Sequence, residues 1–412
     1  MMTAGDTNLC IQKYLARQPI FDRHESVFGY ELLFRSGLDN FFQPQFGENA
    51  TEYVVDNYLL LGIEALTGGR KAFINFTRES LVKDYPTLLP TDQVVVEILE
   101  DIHPDEEILA ACRRLKQAGY LIALDDFIFA QNGNPLTGYA DIIKVDFLAT
   151  LPEERETLAR RFSPLGVRML AEKIETHGDV ASALKMGYTY FQGYFFCRPQ
   201  VLSTRDIPSF KLNYLRILRA INRQDVDLDE VEEILRQEPS LLYKLLRYIN
   251  SAGFGLRGHV TSIRHALALL GERNLRKWTS VVALLDLAED RPAELIVTAL
   301  VRARFCELLA PLIGMRQQET DLFLLGLFSV MDAVLGRDIK DVLAEMPLTE
   351  EVKAALLGKD NRFRCVLDSA MAREQGDWHR FRSWLDRVGI DEEQFPDAYL
   401  GAVQWVRQIF EV

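Results

Sequence analysis

The chain has 412 residues, long for one hydrophobic core, and its 48% hydrophobic and 26% charged content is that of folded globular domains, two by length. A formal net charge of −13 argues against the broad basic surface on which nucleic-acid polymers are held, and it obliges any site for an anionic substrate to overcome repulsion locally. The five cysteines (Cys10, Cys112, Cys197, Cys306, Cys365) form no Cys-x-x-Cys pair, which fits a reducing cytoplasm, and the longest apolar run, 322–331, is too short to span a bilayer, so no membrane insertion is expected.

From residue 10 to residue 200, short β-branched or apolar runs alternate with amphipathic stretches, the pattern of an α/β fold. The predicted strands are 14–21, 27–34, 71–76, 94–99, 121–125, 142–146, 169–174 and 190–195, with helices expected over 50–66, 104–118 and 180–186 between them. Eight strands with helical crossovers predict a TIM-like (β/α) barrel, trimmed because about 190 residues are fewer than the ~250 usual for that fold. The first two runs are separated only by 22–26, too short for a parallel crossover, so the opening strand is expected to run antiparallel. Beyond residue 203 the period changes to three and four, starting with 207–221, and prolines and glycines punctuate an all-α second half. The domains read as a barrel over 10–200, a helical domain over 203–392 and a C-terminal helix over 393–412.

Glu31, Glu97, Glu100, Asp125, Asp126, Asp146 and Glu172 all fall at or just past the C-terminal ends of strand runs, and Asn75, Lys144 and Gln192 share that placement. Any one such acid is accounted for as a helix cap or a solvated charge. On a closed barrel, however, all of them converge on one rim, where oxygen donors form a site for hard divalent cations and support metal-assisted chemistry on a phosphate ester.

The residues Tyr30 to Arg35 read Tyr-Glu-Leu-Leu-Phe-Arg, and this resembles the opening motif of the EAL family of cyclic di-GMP phosphodiesterases. The family's later motifs follow in order: Asn75 in Phe-Ile-Asn-Phe-Thr, Glu97 with Glu100, Asp125-Asp126-Phe127, Lys144 with Asp146, Ala-Glu-x-x-Glu-Thr at 171–176 and Phe-Gln-Gly-Tyr-x-Phe-x-Arg-Pro at 191–199. The resemblance implies two Mg2+ or Mn2+ ions, one held by Glu31, Asn75, Glu97 and Asp125, the other by Asp125, Asp126 and Glu172. It further implies that Lys144, Glu172 and Gln192 act in catalysis, Lys144 and Gln192 by orienting the attacking water. Arg35 and Asp146 would bind the substrate, and Glu100 would support a neighbouring loop. The sequence departs from the family in three places. The usual Gly/Ser loop after Asp126 is replaced by Phe127-Ile-Phe-Ala-Gln-Asn-Gly-Asn-Pro135, which bears on metal affinity and on formation of a homodimer. Lys173 stands for a usual glycine, its ammonium either turned to solvent or competing with the second cation. Leu99 stands for a usual threonine.

The helical half is similar to the HDOD family, on the run from Val231 to Phe254, on Ser262-Ile-Arg-His-Ala266 before Leu270-Gly271, on Arg302-Ala-Arg304 and on Gly326-Leu-Phe-Ser329. None of the six histidines is followed by aspartate, so the related metal-dependent hydrolase chemistry is not expected there, and His259 and His265 read as packed or surface residues. The resemblance implies a docking or regulatory module with a protein partner. Trp278 with Arg273, Arg276 and Lys277 marks either a contact surface or a solvated helical face. Three functional readings stand. In the first, a cytoplasmic signalling protein binds cyclic di-GMP and hydrolyses it to the linear dinucleotide. In the second, a catalytically inactive receptor or adaptor binds with a degenerate EAL domain. A scaffold with neither property is the third.

Overall fold

A computed structural model of the protein describes residues 13–36, 63–125, 134–197, 209–223, 226–250, 260–346, 348–388 and 398–410. The chain forms two compact units, Met1–Phe196 with Met371–Val412, and Cys197–Ala370.

The first unit is built on a closed eight-stranded barrel in sequential order: β1 (Lys13–Phe21), β2 (Val27–Ser36), β3 (Lys71–Phe76), β4 (Val94–Ile98), β5 (Leu121–Leu124), β6 (Ile142–Asp146), β7 (Arg168–Glu172) and β8 (Tyr190–Gln192). As the short 22–26 turn requires, β1 is antiparallel to β2, and it closes antiparallel on β8, while every other neighbouring pair is parallel. The crossovers are uneven, in keeping with a trimmed barrel. Full helices α3 (Glu106–Gln117), α4 (Pro152–Phe162) and α5 (His177–Met186) follow β4, β6 and β7, α2 (Arg78–Val82) after β3 is a single turn, and α1 (Ile63–Thr67) is the described end of the crossover from β2 to β3. The expected helix over 50–66 is described only in its last turn. Asp105 caps α3 by accepting from the Ile108 amide, and Thr176 and Asp179 form a reciprocal capping box on α5, so both helices start where side-chain oxygens meet their free amides.

Side chains of a barrel strand alternate between interior and exterior. Ile20, Phe73, Val95, Ala123, Ile142, Leu170 and Tyr190 form one buried apolar layer across the interior. Two residues further toward the rim along each of those strands, the same period must deliver Gln18, Asn75, Glu97, Asp125, Lys144, Glu172 and Gln192. The direction of that step is reversed only on β1, because β1 runs the other way.

The second unit is helical, with α6 (Ser209–Ile221), α7 (Leu228–Gln237), α8 (Pro239–Ile249), α9 (Ile263–Leu287), α10 (Ala293–Leu309), α11 (Glu319–Phe328), α12 (Met331–Leu335), α13 (Ile339–Glu345), α14 (Glu350–Leu356) and the first residues of α15 (Arg362–Glu374). Its core includes the fully buried Phe305, Phe323 and Phe328. The sequence reading of Trp278 as part of a contact surface does not hold: the indole is buried and stacks on Tyr248 at 6.2 Å. Beside it Lys277 pairs with the buried Glu307, and Arg276 pairs with Glu272 at 2.7 Å. His265 is an exposed residue in the first turn of α9, whose cap is Ser262, and His259 lies outside the described residues. Two further helices, α16 (Trp378–Val388) and α17 (Ala398–Phe410), belong to the barrel unit.

Gly193 locks β8 to the loop after β7. Its φ is +146°, and a Cβ there would lie 2.0 Å from the Ile174 carbonyl oxygen and 2.5 Å from the Ile174 nitrogen, whose amide donates to the Gln192 carbonyl at 3.0 Å. Gly193→Ala is therefore expected to lower unfolding free energy by about 2 kcal/mol or more, read from the urea midpoint of the full chain; a midpoint equal to that of the wild type refutes the packing argument.

Candidate metal centre

The polar layer of the barrel brings most of the rim residues into one buried cluster. Glu31, Glu97, Lys144, Glu172 and Gln192 are between 0% and 7% exposed. Glu31, Glu97 and Glu172 each place a carboxylate oxygen within 4.8 Å of the others, and this is the set of acids among the described residues that has metal-holding geometry. The ladders explain the convergence: Asn75 is in register with Glu97 across β3 and β4, and the Asp125 amide bonds to the Ile98 carbonyl at 3.0 Å, extending the β4–β5 ladder to the rim.

Lys144 stands in the middle of the acids. Its Nζ is 2.8 Å from Asp125 Oδ1, 2.8 Å from Glu172 Oε1 and 3.4 Å from Glu31 Oε2, and it also donates to Glu97 Oε1. Burial opposes its charge, but Glu172, Glu31, Glu97 and Asp125 outweigh burial and hold the ammonium well above the ordinary lysine range. The acids respond in the opposite sense to a shortage of positive charge. Burial, reinforced by neighbouring carboxylates and opposed by Lys144, pushes Glu97 well up and raises Glu172 to about 8.

Two amides frame Glu31. Asn75 Nδ2 donates to Glu31 Oε1 at 3.2 Å, and Gln192 Nε2 donates to Glu31 Oε2 at 2.7 Å. Each amide has thereby turned its nitrogen to the carboxylate and kept its oxygen in reserve. Asn75 Oδ1, Gln192 Oε1 and Glu97 Oε2 are all buried without a hydrogen-bond partner. Unpartnered buried acceptors are costly, and a divalent cation satisfies several of them at once while neutralising the excess carboxylate charge. The residues present thus fit such an ion.

The remaining predicted residues lie apart from this cluster or outside the described set. Asp146 accepts from the Leu148 and Ala149 amides at 2.7 and 3.0 Å and from Lys173 Nζ at 2.5 Å. Burial works against its charge, and the Lys173 bond with those two amides more than offsets burial, holding the carboxyl below its usual range. Lys173 has φ +56°, a left-handed conformation that glycine adopts without strain, and its ammonium pairs with Asp146. Glu100 is exposed on the turn after β4. Arg35 lies on β2, its side chain outside the described set, and Asp126 with the loop up to 133 is likewise outside it. Gln18, absent from the sequence expectations, accepts from Gln192 Nε2 at 2.9 Å. The signal was present: an antiparallel first strand carries its rim residue toward its N-terminal end.

The fold and cluster define a barrel with a buried acidic rim whose residues fit a divalent cation, joined in sequence to a helical domain. The family model described as EAL domain matches residues 59–199, and that described as HDOD domain matches 207–346. The chain is 35% identical over 408 residues to the uncharacterized protein YuxH of Bacillus subtilis, covering 97% of this chain and 99% of that protein. It is 33% identical over 400 residues to the cyclic di-GMP phosphodiesterase CdgJ of Vibrio cholerae, covering 96% and 93%. Among solved structures, the calcium/cy-diGMP complex of Klebsiella pneumoniae BlrP1 is 25% identical with a TM-score of 0.40, the match covering 48% of this chain and 58% of that one. The chain belongs to the family of proteins in which an EAL domain is followed by an HDOD domain.

Removing the central cation isolates its contribution. Lys144→Met keeps the stem and deletes the charge, leaving buried acids uncompensated, so metal-free stability is expected to fall by roughly 3 kcal/mol. Urea denaturation in EDTA measures this, and an unchanged midpoint contradicts the described charge balance.

Proposed function

We propose that the protein is a cyclic di-GMP phosphodiesterase that opens one of the substrate's two phosphodiester bonds to give the linear dinucleotide. The observation that carries this reading is the trio of unpartnered buried oxygens, Asn75 Oδ1, Glu97 Oε2 and Gln192 Oε1, beside the three clustered glutamates. The full-length similarity to CdgJ, itself a cyclic di-GMP phosphodiesterase by name, supplies the substrate class.

Glu31, Asn75, Glu97 and Asp125 would hold one Mg2+ or Mn2+, and Asp125, Asp126 and Glu172 a second, with Asp125 shared. Such ions supply Lewis-acid polarisation of the phosphate and a nucleophilic water at neutral pH. The protein's own groups do the rest. Gln192 Oε1 accepts a hydrogen bond from the attacking water, and the Lys144 ammonium, which draws the mutually repelling Asp125 and Glu172 carboxylates together, orients the same water. Glu172, at the end of β7, takes the water's proton. Arg35 and Asp146 bind the substrate, the guanidinium of Arg35 being a planar fork matched to phosphate oxygens. Water adds to phosphorus, the bond from phosphorus to the ribose oxygen breaks, and the proton taken up by Glu172 is passed to that oxygen, which leaves as a hydroxyl.

The HDOD unit regulates this activity through a protein partner. Support comes from the family match and from the histidines, none of which is followed by aspartate as hydrolytic relatives require.

With Mg2+ or Mn2+, chromatography of the full chain with cyclic di-GMP is expected to show the linear dinucleotide, and EDTA to abolish it. Glu97→Ala and Asp125→Ala are each expected to lower kcat at least about a hundredfold. Undiminished turnover in both variants removes the assigned roles, and tight binding without product over hours identifies a receptor in place of an enzyme.

A further inference from the structure

Resting on the hydrolytic reading above, we infer that Gln18 is a positioning residue for that reaction, and that the turn after α15 sets its orientation. Gln18 lies on β1 in register with Glu31 and joins two groups of the barrel unit. Its Nε2 donates to the backbone carbonyl of Gln375 at 2.9 Å, and its Oε1 accepts from Gln192 Nε2 at 2.9 Å.

The sense of this relay is dictated from its far end. A backbone carbonyl only accepts, so Gln18 must turn its NH2 toward Gln375 and its oxygen toward Gln192. Gln192 must then answer with its own NH2, and its Oε1 is the end left buried and unpartnered. Inverting the Gln192 amide alone would set oxygen against oxygen at both Gln18 and Glu31. Glu31 enforces the same sense while its carboxylate is free, but that carboxylate also accepts from Asn75 and Lys144 and belongs to the cation-binding trio. Gln18 is the partner of the Gln192 amide that has no such competing duty.

The Gln375 carbonyl is held in place by the way α15 ends. Gly376 is left-handed, with φ +66°. The closing bonds run from the Gly376 amide to Arg373 O at 3.2 Å, from Asp377 to Ala372 O at 2.9 Å and from Trp378 to Gly376 O at 3.0 Å. Those bonds use other carbonyls, and Gln18 takes that of Gln375. Two contacts seat the turn. The buried guanidinium of Arg373 lies 5.3, 5.1 and 5.5 Å from the ring centres of Trp378, Phe381 and Tyr399. A Cβ at Gly376 would stand 2.7 Å from Leu33 Cδ1, on the strand that carries Glu31. The segment from Met371 onward is thus part of the machinery of the rim.

The test uses the full chain with Gln18→Leu, which deletes the relay, and Gly376→Val, which replaces no rim residue and displaces the carbonyl. Each is expected to lower kcat for cyclic di-GMP about tenfold or more with KM changed less than about twofold. A second readout needs no metal: the Gln192 side-chain amide, assigned by its absence from Gln192→Glu and observed in 15N-glutamine-labelled protein with EDTA, is expected to lose solvent-exchange protection in Gln18→Leu. Wild-type turnover with kcat unchanged in Gln18→Leu overturns the inference, as does an amide equally protected in both proteins. Absence of linear product from the wild type defeats the hydrolytic reading instead, and the amide measurement then still decides whether the relay exists.

Discussion

The barrel interior contains an electrostatic imbalance on which the site depends: one ammonium, Lys144, faces Glu31, Glu97, Asp125 and Glu172 where almost no solvent reaches. Replacing such a cluster by hydrocarbon would be the cheaper way to fill a core, because desolvation of charges is seldom repaid by their mutual attraction. Its persistence across several strands is intelligible as preparation for more positive charge than the chain supplies. Burial and the neighbouring carboxylates, acting against Lys144, raise Glu97 and Glu172 and express the same shortage. The amides of Asn75 and Gln192 complement it, since each directs hydrogen to Glu31 and keeps oxygen back.

Below the charged layer lies a fully apolar one, and the two are linked by the simplest property of a strand, its two-residue period. That relation made much of the site legible from residue types alone. Runs such as 71–76 and 142–146 coincide with β3 and β6, and the residues at their ends are the ones that meet. The short connection over 22–26 was enough to predict the reversed β1. Gln18 is not legible by the rule that rim residues stand at strand C-termini, because a reversed strand brings its N-terminal half to the rim.

Other features were not legible for a different reason. An amphipathic helix announces that one face is covered but not by what, so the association of Met371–Val412 with the barrel could not be read from its apolar pattern. The surroundings of Trp278 divide: Arg276 pairs with Glu272 one turn earlier on the same helix, a spacing visible in the sequence, whereas Lys277 is directed at Glu307 of the next helix, which charge alone does not announce. At Lys173 two fates were open, and the structure has the side chain half exposed, as in the solvent-facing alternative, with its ammonium paired to Asp146.

The reversed first strand also governs how the polypeptide is threaded. Parallel strands of a barrel enter from the floor and leave at the mouth, but β1 enters at the mouth, with Lys13 paired to Ser36 and Phe21 at the opposite end against Val27. The first residue of the opening strand, Lys13, therefore stands at the mouth beside the end of β2, whereas on an all-parallel barrel the first strand would begin at the floor.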